Sequence, residues 1–156
     1  MPLKNYTTEI PAMKSIGQIQ GNLVAHGATS IVVNYGPDRE PETLAFIIST
    51  PQGNIPFRLP ANVKAVASVL LKQLSSSTYR QWNREYQEQK KKKLEEQASR
   101  VAWRIIKDWV DAQLAIIETE MVTIEQVFLP YMLVKGQNTL YETMKDHGFY
   151  LTEGQG

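Results

Sequence analysis

The chain contains no cysteine, which excludes disulfides, thiolate zinc sites and thiol nucleophiles together. Only two histidines are present, His26 and His147. They are far apart in sequence, and each stands next to a glycine where a helix should end and a cation suits the helix dipole. Both are therefore expected to be structural rather than metal ligands or catalytic bases. No glycine-rich run follows a strand and opens a helix, and Ser75-Ser76-Ser77 lacks the flanking glycines of a nucleophile elbow. Glu118 and Glu120 would point about 200° apart on a helix, while Asp108 and Asp111 are expected to pair one turn back with Arg104 and Lys107. No catalytic residue, metal ligand or cofactor site is assigned, and a non-enzymatic role is expected.

Long hydrophobic runs are also missing. No window approaches 18 uncharged apolar residues, so no membrane span is expected. The first ten residues carry Lys4 and Glu9 and lack a signal-like apolar stretch. Together with the absence of cysteine, this leads us to expect a cytoplasmic protein.

With 42% hydrophobic and 21% charged residues the composition is that of a folded chain, and 156 residues suffice for a core without staples. Ser15-Ile16-Gly17-Gln18 has the pattern of a capping box, opening a helix whose stripe is Ile16, Ile19, Leu23 and Val24 and whose end is Gly27. Thr29–Tyr35, Thr43–Thr50 and Ile55–Leu59 read as three strands, punctuated by Gly36-Pro37-Asp38 and Pro51-Gln52-Gly53-Asn54. Pro56 lacks a ladder donor, which marks the third as an edge strand or one whose end is exposed. Asn62 should cap a second helix with Val63, Val66, Ala67, Leu70, Leu71 and Leu74 inward.

From Thr78 to about Met121 a helical pattern runs without Gly or Pro, and four successive lysines suggest a break or kink near Lys90–Lys93. Its apolar part shows two stripes, one of Val101, Ile105, Trp109, Ala112 and Ile116, the other of Trp103, Ile106, Val110, Leu114 and Ile117. Arg104, Lys107, Asp108, Asp111 and Glu118 form the remaining polar strip. Thr123 and Thr139 open two further helices with capping boxes, and Thr152–Gly156 should fray.

The expected fold is α+β: an N-terminal helix on a three-stranded antiparallel meander, followed by a C-terminal helical half with one long central helix. The expected divisions are residues 1–74, a charged arm or hinge at 75–100, and a helical part at 101–156 packed on the first, making one main domain.

Charge is unevenly spread. Residues 75–107 carry a net charge of +5 and residues 108–156 a net of −6, although the whole chain is +1. Within the positive part, Tyr79, Trp82 and Tyr86 fall at i, i+3 and i+7, interleaved with Arg80 and Arg84, and followed by Lys90, Lys91, Lys92 and Lys93. Stacking faces beside cations suit single-stranded nucleic acid, with Arg100 as a further contact. A core-facing aromatic stripe and a solvated lysine run would give the same pattern. A docking surface for a protein partner, on this arm or on the acidic half, remains the alternative. Homo-oligomerisation is a third partner expectation.

The whole chain resembles a group of small proteins of phages, prophages and integrative elements that have no established activity. The resemblance lies in Met1–Thr8, Ile55-Pro56-Phe57-Arg58-Leu59-Pro60, Val101–Val110, Val127-Phe128-Leu129-Pro130-Tyr131 and Thr139-Leu140-Tyr141-Glu142. It implies a mobile-element setting and nothing sharper, a setting in which both expectations fit: a nucleic-acid-binding accessory role in replication, recombination or nucleic-acid handling, or a protein-binding role. An inhibitor of a host defence nuclease or a subunit of a larger assembly would be examples of the latter. No catalytic or binding residue carries over.

Overall fold

The computed structural model describes residues 2–74 and 80–150. The expected hinge at Ser75–Ser77, the stacking candidate Tyr79 and the tail Thr152–Gly156 lie outside the described residues.

Helix α1 spans Ala12–Ala25, strands β1, β2 and β3 span Ala28–Tyr35, Pro41–Thr50 and Gly53–Arg58, and α2 spans Val63–Gln73. The long helix α3 covers Arg84–Glu118, and the short helices α4 and α5 cover Ile124–Phe128 and Leu140–Asp146. The fold is mixed α+β, with an N-terminal helix, a three-stranded antiparallel sheet in the order β1-β2-β3, and a long central helix followed by short ones.

Alternation determines which face of the sheet is buried. Leu44, Phe46 and Ile48 of β2 and Phe57 of β3 are buried, and α1 adds Ile16, Ile19 and Leu23. Phe46 stacks on Phe57 at 5.3 Å, and Phe128 meets Phe46 edge-on at 5.7 Å. Trp103, Val110 and Leu114 of α3 complete this core, so the central helix joins the sheet to the C-terminal segment. The Trp103 indole N–H donates to the Pro41 carbonyl at 3.1 Å, and the Ser99 hydroxyl to Glu40 at 2.9 Å. A second cluster of Leu70, Ala98 and Val101, bordered by Leu94, Ile105 and Leu3, fastens α2 to α3.

Local signals behave as their chemistry requires in most places. Gly27 takes φ +102 just after α1, Asn62 Oδ1 accepts from the Ala65 N–H at 3.0 Å, and both threonine capping boxes form. Pro56 sits on edge strand β3. Its carbonyl turns outward to accept from the Leu133 N–H, so its missing N–H falls on the side that β2 does not need.

Several expectations are corrected. The first helix begins at Ala12 after Pro11, not at Ser15. Ser15 lies three residues after Ala12 on the same stripe, fully buried, and its hydroxyl has no hydrogen-bond partner. Val24 is 59% exposed, and Leu71 of α2, like Ala112 and Ile116 of α3, also faces outward. No break occurs at Lys90–Lys93, and α3 runs unbroken for 35 residues. Successive lysines are separated by about 100° around a helix, and lysine is a good helix former. The break comes earlier, at Trp82 and Asn83, where the Asn83 side chain caps α3 by accepting from the Tyr86 N–H at 2.8 Å.

The N-terminal segment lies along α3 and alters the polar strip. The Gln97 side-chain amide donates to the carbonyls of Tyr6 and Thr8. Asp108 is held by Asn5 at 3.0 Å and Lys4 at 3.6 Å rather than by Arg104. Lys107 does pair with Asp111, which also accepts from Asn22. The Thr8–Gln97 and Asn22–Asp111 contacts share a sequence offset of 89, so α1 runs parallel to α3 with Ser15 level with Arg104. Arg104 is buried there, and its Nε and Nη2 have no hydrogen-bond partner.

The C-terminal segment is tied to β3 by a charged contact. Glu142 holds its carboxyl below the usual carboxylate range, chiefly through hydrogen bonds to Thr139 and then through Arg58. The folded chain therefore favours the ionised form. This stabilisation is complete above the ordinary carboxylate pKa and is lost as pH falls through the lowered folded value. Glu142→Gln keeps an acceptor for the capping box but removes the charge. Urea unfolding at about pH 7 and about pH 3.5 should show a smaller acid-induced loss in this variant than in the parent chain.

Candidate nucleic-acid interface

The site is built on the first turns of α3. Residues 84–93 precede Leu94, the first apolar side chain of α3 in the α2 cluster, and none of them is buried. One side of this part of the helix borders α2 through Lys91 and Lys92, and helical spacing decides which of the other side chains share the open face.

The unbroken helix brings Tyr86, Lys90, Lys93, Gln97 and Arg100 within an arc of about 80°, along roughly 21 Å of axis. Trp82 joins this face at its outer end. Its ring meets Tyr86 edge-on at 4.8 Å, and the Lys90 ammonium lies 5.8 Å and 5.6 Å from the two ring centroids. Tyr86 is 40% exposed and Trp82 half-buried. At the inner end Arg100 donates through Nε to Gln97 Oε1 at 2.8 Å, which orients the guanidinium. Lys93, between them, makes no ion pair among the described residues.

The other predicted cations are placed elsewhere. Lys91 and Lys92 turn away from the aromatic face and line a cavity of about 570 Å³ between α2 and α3. Val63, Ala67, Leu71 and Leu94 give that cavity an apolar floor, and Asp38 and Glu40 give its rim negative charge. Arg84 pairs with Glu88 at 3.7 Å on a fully solvated surface, and Arg80 is exposed before the cap. Of the residues singled out by sequence, the nine described ones thus divide into one aromatic and cationic stripe and a second group that does not join it. Gln97 is a positioning residue that the sequence did not mark. Its i+4 spacing from Lys93 was visible, but its hold on the N-terminal segment was not.

The histidines sit at helix ends. His26 follows α1, with Nδ1 2.8 Å from the Asn22 carbonyl and Nε2 2.8 Å from Glu118, while His147 caps α5. Among the described residues no group of three His, Asp or Glu side chains is placed to hold a metal ion, and no helix is long and apolar enough to cross a membrane. Comparison with protein-family models, curated proteins and solved structures finds no match.

Proposed function

We propose that this chain is a cytoplasmic, non-enzymatic accessory protein of a mobile element that binds single-stranded nucleic acid along the exposed start of α3. The carrying observation is the grouping of Trp82, Tyr86, Lys90, Lys93 and Arg100 on one helix face. Phosphates need cations at intervals along a track, and bases need flat apolar faces beside it. A perpendicular aromatic pair at one end and spaced cations along the helix meet both needs. Lys90 over the rings keeps a charge at the place where a stacked base would carry its phosphate. The fit is to backbone charge and base faces, so it carries no sequence preference.

Trp82→Ala tests this reading. Base–aromatic stacking is worth about 1–3 kcal/mol per base, so affinity for a single-stranded oligonucleotide should fall about 5- to 150-fold. The salt dependence should stay unchanged, since no cation is lost. Equal affinity of variant and parent, with far-UV circular dichroism preserved, would remove Trp82 from the interface.

A second reading has its own support. The α2–α3 cavity and the exposed apolar residues Val69 and Leu71, each 39% accessible, would suit a docking site for a protein partner, such as a host nuclease to be inhibited or a neighbouring assembly subunit. On that reading Leu71→Asp abolishes capture of the partner, and substitutions on the aromatic stripe leave it intact.

A further inference from the structure

Strand β1 is an edge of the sheet, and no described residue pairs along its outer side. The register identifies its free groups. Leu44 accepts from Leu59 on the β3 side, so Leu44, Phe46 and Ile48 turn their backbone groups towards β3, and Thr43, Ala45 and Ile47 turn theirs towards β1. The β1 partners of these last three are Asn34, Val32 and Ser30, which therefore face inward. The N–H and C=O groups of Ile31 and Val33 point outward. Edge strands are usually blunted by charge or proline, yet Ala28–Tyr35 contains neither.

The neighbouring flank of α1 continues this uncharged surface. The Tyr35 hydroxyl lies 3.6 Å from Met13 Sδ, which sets the Met13 face of α1 beside β1. Gly17, Gln20 and Val24 share that flank at helical spacing. Met13, Val24, Val32 and Tyr35 are each at least half exposed. Gly17 and Gly21 stand in mid-helix, where glycine weakens the helix relative to alanine. A Cβ at either position would meet nothing within 4 Å, so the packing of the single chain does not require glycine there.

We propose that β1 is a self-association edge, at which two copies of this chain pair antiparallel about a two-fold axis through Val32. The occupant is a second copy because the edge complements itself. Ser30-Ile31-Val32-Val33-Asn34 runs polar, β-branched, Val, β-branched, polar in either direction. The axis places Ile31 opposite Val33 of the second copy and Val33 opposite its Ile31, so each pair exchanges two backbone hydrogen bonds. Val32 meets its own copy on the outer face, and the sheet becomes six-stranded. The same axis lays α1 antiparallel to its copy beneath the seam, where Gly17 and Gly21 allow close backbone approach. The pairing strand carries none of the stripe residues, although the two surfaces meet where Arg100 shares a shallow pocket with Met13 and Tyr35, and cross-linking at Val32 reads the seam without reference to nucleic-acid binding.

The absence of cysteine makes the test direct. At the axis the two residues form a non-hydrogen-bonded pair with Cα atoms about 4.5 Å apart, within the disulfide range of about 4.4–6.8 Å. Val32→Cys should therefore cross-link to a covalent dimer on mild oxidation. Ser30→Cys, whose copy would lie about 13 Å away along the strand, should not. Sedimentation equilibrium of the unsubstituted chain should give a dimer, and Val32→Lys a monomer with unchanged circular dichroism. Should Val32→Lys unfold, the contrast between the two cysteine variants decides alone. A monomeric parent chain at about 200 µM, or equal cross-linking of both cysteine variants, overturns the proposal. A monomer that instead takes up an extended peptide along β1 also overturns the choice of a second copy.

Discussion

Trp103→Ala is expected to destabilise the chain by about 3–5 kcal/mol, the largest effect on stability of any single substitution considered for this fold. Trp103 is fully buried in the core that joins α3 to the sheet, and its indole N–H meets the Pro41 carbonyl at 3.1 Å. Truncation empties the largest fully buried side-chain volume and leaves a carbonyl at the start of β2 without its donor. Domains of this size are stable by only about 5–15 kcal/mol, so a large share of the total is lost. The melting temperature should fall by roughly 6–20 °C. Trp103→Phe separates the two causes. It fills most of the space and loses the hydrogen bond, so about 1–3 kcal/mol should remain missing. Urea unfolding of the three proteins side by side checks this, and an alanine variant as stable as the parent would show that Trp103 does not join the halves.

The second large effect concerns binding. Lys90→Glu with Lys93→Glu should reduce affinity for single-stranded nucleic acid at least 10-fold, whereas Lys91→Glu with Lys92→Glu should reduce it far less. Both double variants change the net charge equally, so long-range attraction falls by the same amount in each. Only the first pair shares a face with Tyr86 and Arg100; the second pair lines the α2–α3 cavity. Each phosphate contact contributes a salt slope of about 0.7 for single strands. The slope should therefore shrink by about 1.4 in the first variant and remain near the parent value in the second. Equal losses in the two variants would mean that net charge, rather than a built face, governs binding.

Much of the fold was legible because its signals are local. The alternation of Leu44, Phe46 and Ile48, the turn after Thr50, and the caps at Asn62, Thr123 and Thr139 each depend on neighbours within a few residues. Ser15 has a second reading because the same Ser-x-x-Gln spacing serves equally as a small buried step between Ala12 and Ile16, and the choice depends on burial that the local sequence does not carry. The lysine run does not break α3, because a helix distributes successive charges around its circumference. The stripe of Tyr86, Lys90, Lys93 and Arg100 becomes readable once the helix is known to be unbroken. The hold of Gln97 on Tyr6 and Thr8, and of Asn5 on Asp108, spans about 90–100 residues of sequence and has no local signature.

The measurement closest to the central claim is fluorescence anisotropy of a labelled single-stranded oligonucleotide, titrated with the full chain at two salt concentrations and with duplex competitor. Binding should weaken as salt rises, with a slope of about −2 for the three cations of the stripe, and duplex should compete poorly because its bases are already stacked. A flat titration at low salt would contradict the account and leave the α2–α3 cavity, with its protein partner, as the functional surface.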